Sequence, residues 1–166
     1  MEQVQINETG NQKDNLAMAR DSMTPLELRI DRTFDAPQEM VFDAWIERDQ
    51  AAQWFGPEGF TIPLFEMDGT EGGSYRMCMK DPEDTEHFVT GKYVEIDRPN
   101  RLVFTWAWEE DGVAGHATEV IVEFTANGDK TDLVLTHRGF ESEDSMNGHN
   151  QGWTSSFESL KKLLAA

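Results

Sequence analysis

At 166 residues the chain suits one domain with a sizeable core, and its 14 lysines and arginines against 32 aspartates and glutamates give a formal charge of −18. A field of that sign repels phosphate backbones and anionic bilayers, so nucleic acid is excluded as an expected partner and a well-solvated acidic surface is the ordinary reading. A single cysteine, Cys78, rules out an intramolecular disulfide, and the sequence shows neither a secretory leader nor an apolar run of about 18 residues; a cytoplasmic protein without membrane insertion is expected.

Residues 1–23 are polar and aperiodic and are expected to form a flexible tail ahead of one domain over 24–166. From Leu26 the pattern changes. Leu26, Leu28 and Ile30 alternate with Glu27, Arg29 and Asp31, which predicts a half-buried strand over 26–34. Asp35 and Gln38 stand at capping-box spacing with Pro37 between them, predicting a helix start ahead of the apolar stripe Met40, Val41, Ala44 and Trp45. A second short helix is predicted over 48–54, stopped by Gly56 and Pro57.

Six more strands are predicted, over 61–67, 74–80, 88–96, 102–109, 118–125 and 132–140. Turn residues rather than helices separate them, including Asp68-Gly69, Asp81-Pro82, Asp111-Gly112 and Asn127-Gly128, so neighbours are expected to be antiparallel. After an acidic loop over 141–145, a closing helix is predicted over 148–164, with Trp153, Phe157, Leu160 and Leu164 on one face. The fold class is therefore α+β in the helix-grip arrangement: a curved antiparallel sheet of six to seven strands wrapped around a long C-terminal helix, with two short helices after the first strand. Such a sheet and helix tend to leave an apolar hollow between them, able to hold a small molecule.

Strand parity groups Tyr75 with Met77 and Met79, Leu133 and Leu135 with His137, and Phe104 with Trp106 and Trp108. The expected ligand-binding lining is Trp45, Trp54, Tyr75, Met77, Met79, Trp106, His137, His149, Trp153 and Phe157, with ordinary core packing as the competing reading for each. His137 and His149 form the polar pair, expected close together where the last strand meets the closing helix and able to orient one ligand oxygen. Glu95 shares the parity of Tyr93 and could face inward as an acid or base, although a strand-end carboxylate more often faces solvent. Residues 56–59 are expected at the cavity mouth, as a gate or a rigid connector. No catalytic residue is assigned, and neither a metal nor a cofactor is expected: the four histidines lack ligand spacing, and no phosphate-cradling glycine loop or nucleophile elbow is present.

Seven segments occur in order across 26–164: Ala36-Pro-Gln-Glu-Met-Val-Phe-Asp-Ala-Trp45, Trp54-Phe-Gly-Pro57, Gly72-Gly-Ser-Tyr75, Gly91-Lys-Tyr-Val-Glu-Ile-Asp97, Arg101-Leu-Val-Phe-Thr-Trp106, Thr131-Asp-Leu-Val-Leu-Thr-His-Arg-Gly-Phe140 and Gly152-Trp153. Together they resemble the activator of Hsp90 ATPase homologue-like family, itself similar to START lipid-transfer domains, birch-pollen-allergen-like proteins and polyketide cyclases. This resemblance implies a hydrophobic cavity and noncovalent binding of a small hydrophobic or aromatic molecule that is lipid-, flavonoid- or polyketide-like. It also implies two alternatives: a protein-interaction module with a chaperone partner whose ATPase it activates, and a polyketide cyclase- or hydrolase-like enzyme, for which the residues themselves offer His137, His149 or Glu95 as proton carrier. Fold alone does not choose among them, and the oligomeric state stays open.

Overall fold

The structure, a computed structural model, describes residues 26–166; the tail expected over 1–23 lies outside the described residues. Strand β1 (Leu26–Phe34) is followed by helices α1 (Gln38–Ile46) and α2 (Arg48–Trp54). Strands β2 (Thr61–Met67), β3 (Ser74–Lys80), β4 (Glu86–Asp97), β5 (Arg101–Glu110), β6 (Val113–Ala114), β7 (Thr118–Asn127) and β8 (Lys130–Phe140) come next, and helix α3 (Glu143–Ala165) closes the chain. The strands form one antiparallel sheet in the order β1-β8-β7-β5-β4-β3-β2, with the two-residue β6 returning on β5. Long helix and curved sheet make the α+β helix-grip fold.

Three local features differ from the sequence expectation. The loop at Asp111-Gly112 is a tight hairpin: both residues have positive φ, 53° and 80°, the backbone of a primed turn, and the two residues after them return along β5 as β6. Helix α3 begins at Glu143, inside the predicted acidic loop, because Ser142 caps it by accepting the Ser145 N–H at 3.1 Å. Glu143 and Asp144 then sit at the positive end of the helix dipole, where acidic residues stabilise a first turn. The Asp35–Gln38 capping box does not form. Pro37 occupies the N-cap position without a side-chain cap, and the Gln38 amide instead donates to the carbonyls of Pro99 and Phe124 and to Asn100 Oδ1, at 3.2, 2.9 and 3.1 Å. Those bonds, with an ion pair between Asp43 and Arg98, tie α1 to the β4–β5 turn.

Trp45 anchors the core. Its ring lies 4.7 Å from that of Trp54 and 5.7 Å from those of Phe55 and Trp153, mostly edge to face, an arrangement that aligns ring edges with π faces. Met77, Val89, Leu102, Leu133 and Leu135 complete the sheet's inner face without measurable exposure beyond 1%. The outer face carries ion pairs instead: Arg76 forks onto Glu109 at 2.8 and 2.9 Å, Arg138 meets Glu119 at 2.7 Å, and Arg101 bridges Glu95 and Glu123. Glu95 belongs to this outer ladder because the register slips between Tyr93 and Glu95. Tyr93 stays inward opposite Phe104, while Glu95 turns outward opposite Val103, so the inward orientation considered for Glu95 is not adopted. Among the described residues, no helix is long and apolar enough to cross a membrane.

Candidate functional site

Near the N-terminal half of α3, where it passes β3, β4 and β5, a hollow of about 360 Å³ opens. Phe55, Gly56, Pro57 and Phe60 from the α2–β2 connection form one wall, Met79, His87, Trp106 and Trp108 from the sheet a second. Helix α3 contributes Asp144, Ser145, Gly148, His149, Gly152, Trp153 and Ser156. Two of these helix positions are glycines. They stand one turn apart on one face, and a Cβ at Gly148 would meet nothing within 4 Å, while one at Gly152 would meet only Pro57 at 3.9 Å. Glycine inside a helix costs about 1 kcal/mol relative to alanine, so this stretch gives up helical stability where the cavity lies.

Of the connector over 56–59, Gly56 and Pro57 border the hollow, and hydrogen bonds hold the segment to its neighbours. Glu58 donates its backbone N–H to Ser155 Oγ at 2.7 Å, and Phe60 donates to the Pro57 carbonyl at 3.0 Å. Opposite it, His87 lies 3.0 Å from Asp81 Oδ2; that hydrogen bond, together with backbone N–H groups, holds the Asp81 carboxyl below its ordinary range.

His137 and His149 come together as expected, with ring centroids 5.2 Å apart, but their nitrogens are already engaged. Trp153 donates its indole N–H to His137 Nδ1 at 3.0 Å, and His137 Nε2 lies 2.6 Å from Thr118 Oγ1. For His149, Nδ1 lies 2.7 Å from the Ser145 carbonyl oxygen, and Nε2 accepts the Trp108 indole N–H at 2.9 Å. Burial, then the neighbouring His149, depresses the His137 pKa to about 3; burial also lowers that of His149, partly offset by its bond to Ser145. Both rings are neutral near pH 7, with fixed tautomers.

Of the ten residues expected to line a ligand site, Met79, Trp106, His149 and Trp153 face this hollow. His137 lies one layer behind, bonded to Trp153. Trp45 and Tyr75 border only a void of about 10 Å³, near the lower limit for one water molecule. Trp54, Met77 and Phe157 are fully packed in the core. Phe55, Phe60, His87, Trp108, Gly148 and Gly152 were not among the expected ten; the usable signals were the parity of Trp108 with Trp106 and a glycine pair at helical spacing. A second hollow of about 320 Å³, bordered by Glu109, Glu110, His116, Thr118, Phe140 and Glu141, shares Trp106, Trp108, Ser145 and His149 with the first. No cluster of three or more potential metal ligands occurs among the described residues.

The family model described as Activator of Hsp90 ATPase homolog 1-like protein matches residues 35–165. The AHSA1 protein of Silicibacter pomeroyi superposes with a TM-score of 0.76 at 30% identity, over 84% of this chain and 98% of its own. A protein of Chromobacterium violaceum superposes with a TM-score of 0.78 at 24% identity, over 84% and 97% of the two chains, and one of Arthrobacter aurescens with 0.76 at 24%, over 84% and 86%. At those lower identities the likeness speaks for the fold alone. No protein with a curated functional description matches the chain significantly. The architecture is that of a ligand-binding helix-grip domain, and the chain belongs to the Activator of Hsp90 ATPase homolog 1-like family.

Proposed function

We propose that this protein binds a small, predominantly apolar aromatic molecule noncovalently in the hollow beside α3. The observation that carries this reading is the lining: three tryptophans, two phenylalanines, a methionine and a proline surround about 360 Å³, a volume typical of small-molecule sites. Filled at protein-like density of about 0.74, that space suits roughly the bulk of a compound with two or three rings. A guest burying about 200 Å² of apolar surface would gain on the order of 5 kcal/mol before the entropic cost of association. Lipid-, flavonoid- and polyketide-like aromatics all fall within this class, and the buried single cysteine suits a reducing, cytoplasmic setting.

The test is an NMR titration with flavone, followed through backbone and indole N–H resonances. Shifts centred on Trp106, Trp108 and Trp153 are expected; shifts confined to the outer sheet face with flavones, fatty acids and polycyclic aromatics alike would refute the reading.

The family name supports a second reading, a protein-interaction module that activates a chaperone ATPase. Its test is stimulation of ATP turnover by an Hsp90-type chaperone on adding the purified protein. A proton-carrying enzyme has less support: the nitrogens of both histidines are occupied by hydrogen bonds, and Glu95 faces outward toward Arg101.

A further inference from the structure

The hydrogen bonds of His149 dictate what a guest must offer. Its Nδ1 lies 2.7 Å from the Ser145 carbonyl oxygen, a group that can only accept, so Nδ1 carries the proton and Nε2 presents a lone pair. That lone pair is taken by the Trp108 indole N–H at 2.9 Å. Trp108 is 37% exposed and can exchange this bond for one to water, so releasing it is inexpensive. Beside it, the Trp106 indole N–H is buried without a partner among the described residues, an arrangement that costs free energy until an acceptor arrives. The Trp106 ring lies 5.6 Å from that of Trp108 and 6.5 Å from that of His149. These three residues, with Ser145, border both hollows, so Trp108 stands between them.

An acceptor lone pair and an unsatisfied N–H within one wall are the complement of a hydroxyl group. A hydroxyl donates its proton to Nε2 while its oxygen accepts from an indole. An ether or ketone oxygen cannot donate, a carboxylate would set negative charge against the imidazole lone pair, and an ammonium has no lone pair for the indole. Resting on the cavity-binding reading above, we propose that the site recognises aromatic molecules bearing a hydroxyl group, which displaces Trp108 from His149 Nε2 and is held between that nitrogen and the Trp106 N–H. Trp108 is then the specificity-determining partition. With Trp108 displaced, the hydroxyl-bearing end lies at the boundary with the second, more polar hollow.

The experiment titrates the full-length protein at neutral pH with naphthalene, 2-methoxynaphthalene and 2-naphthol, three probes sharing one ring system. Binding is read from the five indole N–H resonances and from affinity. 2-Naphthol is expected to bind at least tenfold more tightly than 2-methoxynaphthalene. It should also move the Trp108 indole resonance, identified by its loss in Trp108→Phe, to the position of a water-exposed indole. Trp108→Phe, which has no N–H to displace, should bind 2-naphthol several-fold more tightly than the wild type, and His149→Phe should remove the discrimination. Equal wild-type affinities with shifts centred on the cavity would overturn hydroxyl recognition while leaving aromatic binding in place. No binding by any probe at millimolar concentration would overturn both. The wild-type comparison decides the matter even where a variant fails to fold.

Discussion

Trp153 on α3 donates its indole N–H to Nδ1 of His137 on β8 at 3.0 Å, inside the core. With Nδ1 accepting, the proton resides on Nε2, which donates to Thr118 Oγ1 at 2.6 Å, and that hydroxyl donates to the Trp106 carbonyl at 3.0 Å. The relay links α3 to β8, β7 and β5, and each donor in it finds an acceptor. Removing the imidazole would strand a buried indole N–H and leave a void. His137→Ala is therefore expected to cost about 3–5 kcal/mol, read as a lower urea midpoint at unchanged m-value. A loss below about 1 kcal/mol would mean that the relay does not secure the helix to the sheet.

The same relay makes stability fall in mild acid. The His137 pKa is depressed to about 3 by burial first and by His149 second, whereas in the unfolded chain it returns to about 6.5. Between those values the unfolded state binds more protons, so stability rises with pH. The contribution is complete above about 6.5 and is lost progressively as pH falls toward 3, on the order of a few kcal/mol for His137, with His149 acting in the same direction. Asp81 and Glu109, held below the ordinary carboxylate range by His87 and Arg76, act in the same direction, their contribution being lost from about pH 4 downward. The melting temperature should decline between pH 7 and pH 4. In His137→Asn, whose starting stability is lower, the slope should be shallower over that interval; an identical slope would dissociate the acid response from this histidine.

The strands were legible because their signal is local. Alternation with flanking breakers predicts 26–34, 61–67 and 74–80, and β1, β2 and β3 occupy those spans. The start of α3 was not, since Glu143 and Asp144 look the same in a solvated loop as in a helix's first turn. Nor was the slip at Val94, which arises from pairing with β5 rather than from β4 itself. For the site, parity points to Met79 and Trp106, helical spacing to Trp153, and the expected meeting of the last strand with the closing helix to His149. Helical spacing also selects Trp45, Trp54 and Phe157, because an aromatic stripe that fills a core and one that borders a hollow have the same periodicity. The difference lies in where side chains are missing, at Gly148 and Gly152, and in how α3 lies on the sheet.

Gly91 on β4 should tolerate no side chain. Tyr75 reaches across it to donate its hydroxyl to the Thr105 carbonyl at 2.5 Å, and a Cβ at Gly91 would fall 2.7 Å from the tyrosine ring and closer still to that carbonyl oxygen. Gly91→Ala must displace the ring, break the hydrogen bond and disturb the β4–β5 ladder, with an expected cost of about 2–4 kcal/mol in denaturant unfolding. Gly112→Ala is the control: its φ of 80° is unfavourable for alanine, but the Cβ meets nothing within 4 Å, so about 1 kcal/mol is expected. Equal costs would show that turn strain, not the crossing tyrosine, dominates at both sites.

Gly148 offers the reverse case, where adding a side chain should stabilise the fold and abolish binding together. It lies within α3 and lines the hollow, and a Cβ there meets nothing within 4 Å. Gly148→Ala should gain about 0.5–1 kcal/mol from helix propensity alone, without closing the space. Gly148→Leu keeps most of that gain and adds four carbons at a position that borders the hollow, so its unfolding midpoint should stay close to that of the alanine variant. Flavone affinity should meanwhile fall at least tenfold in the leucine variant and little in the alanine one, because only the former occupies the guest's volume. A well-folded Gly148→Leu protein that bound flavone as tightly as the wild type would place the guest outside this cavity, whatever the aromatic lining suggests.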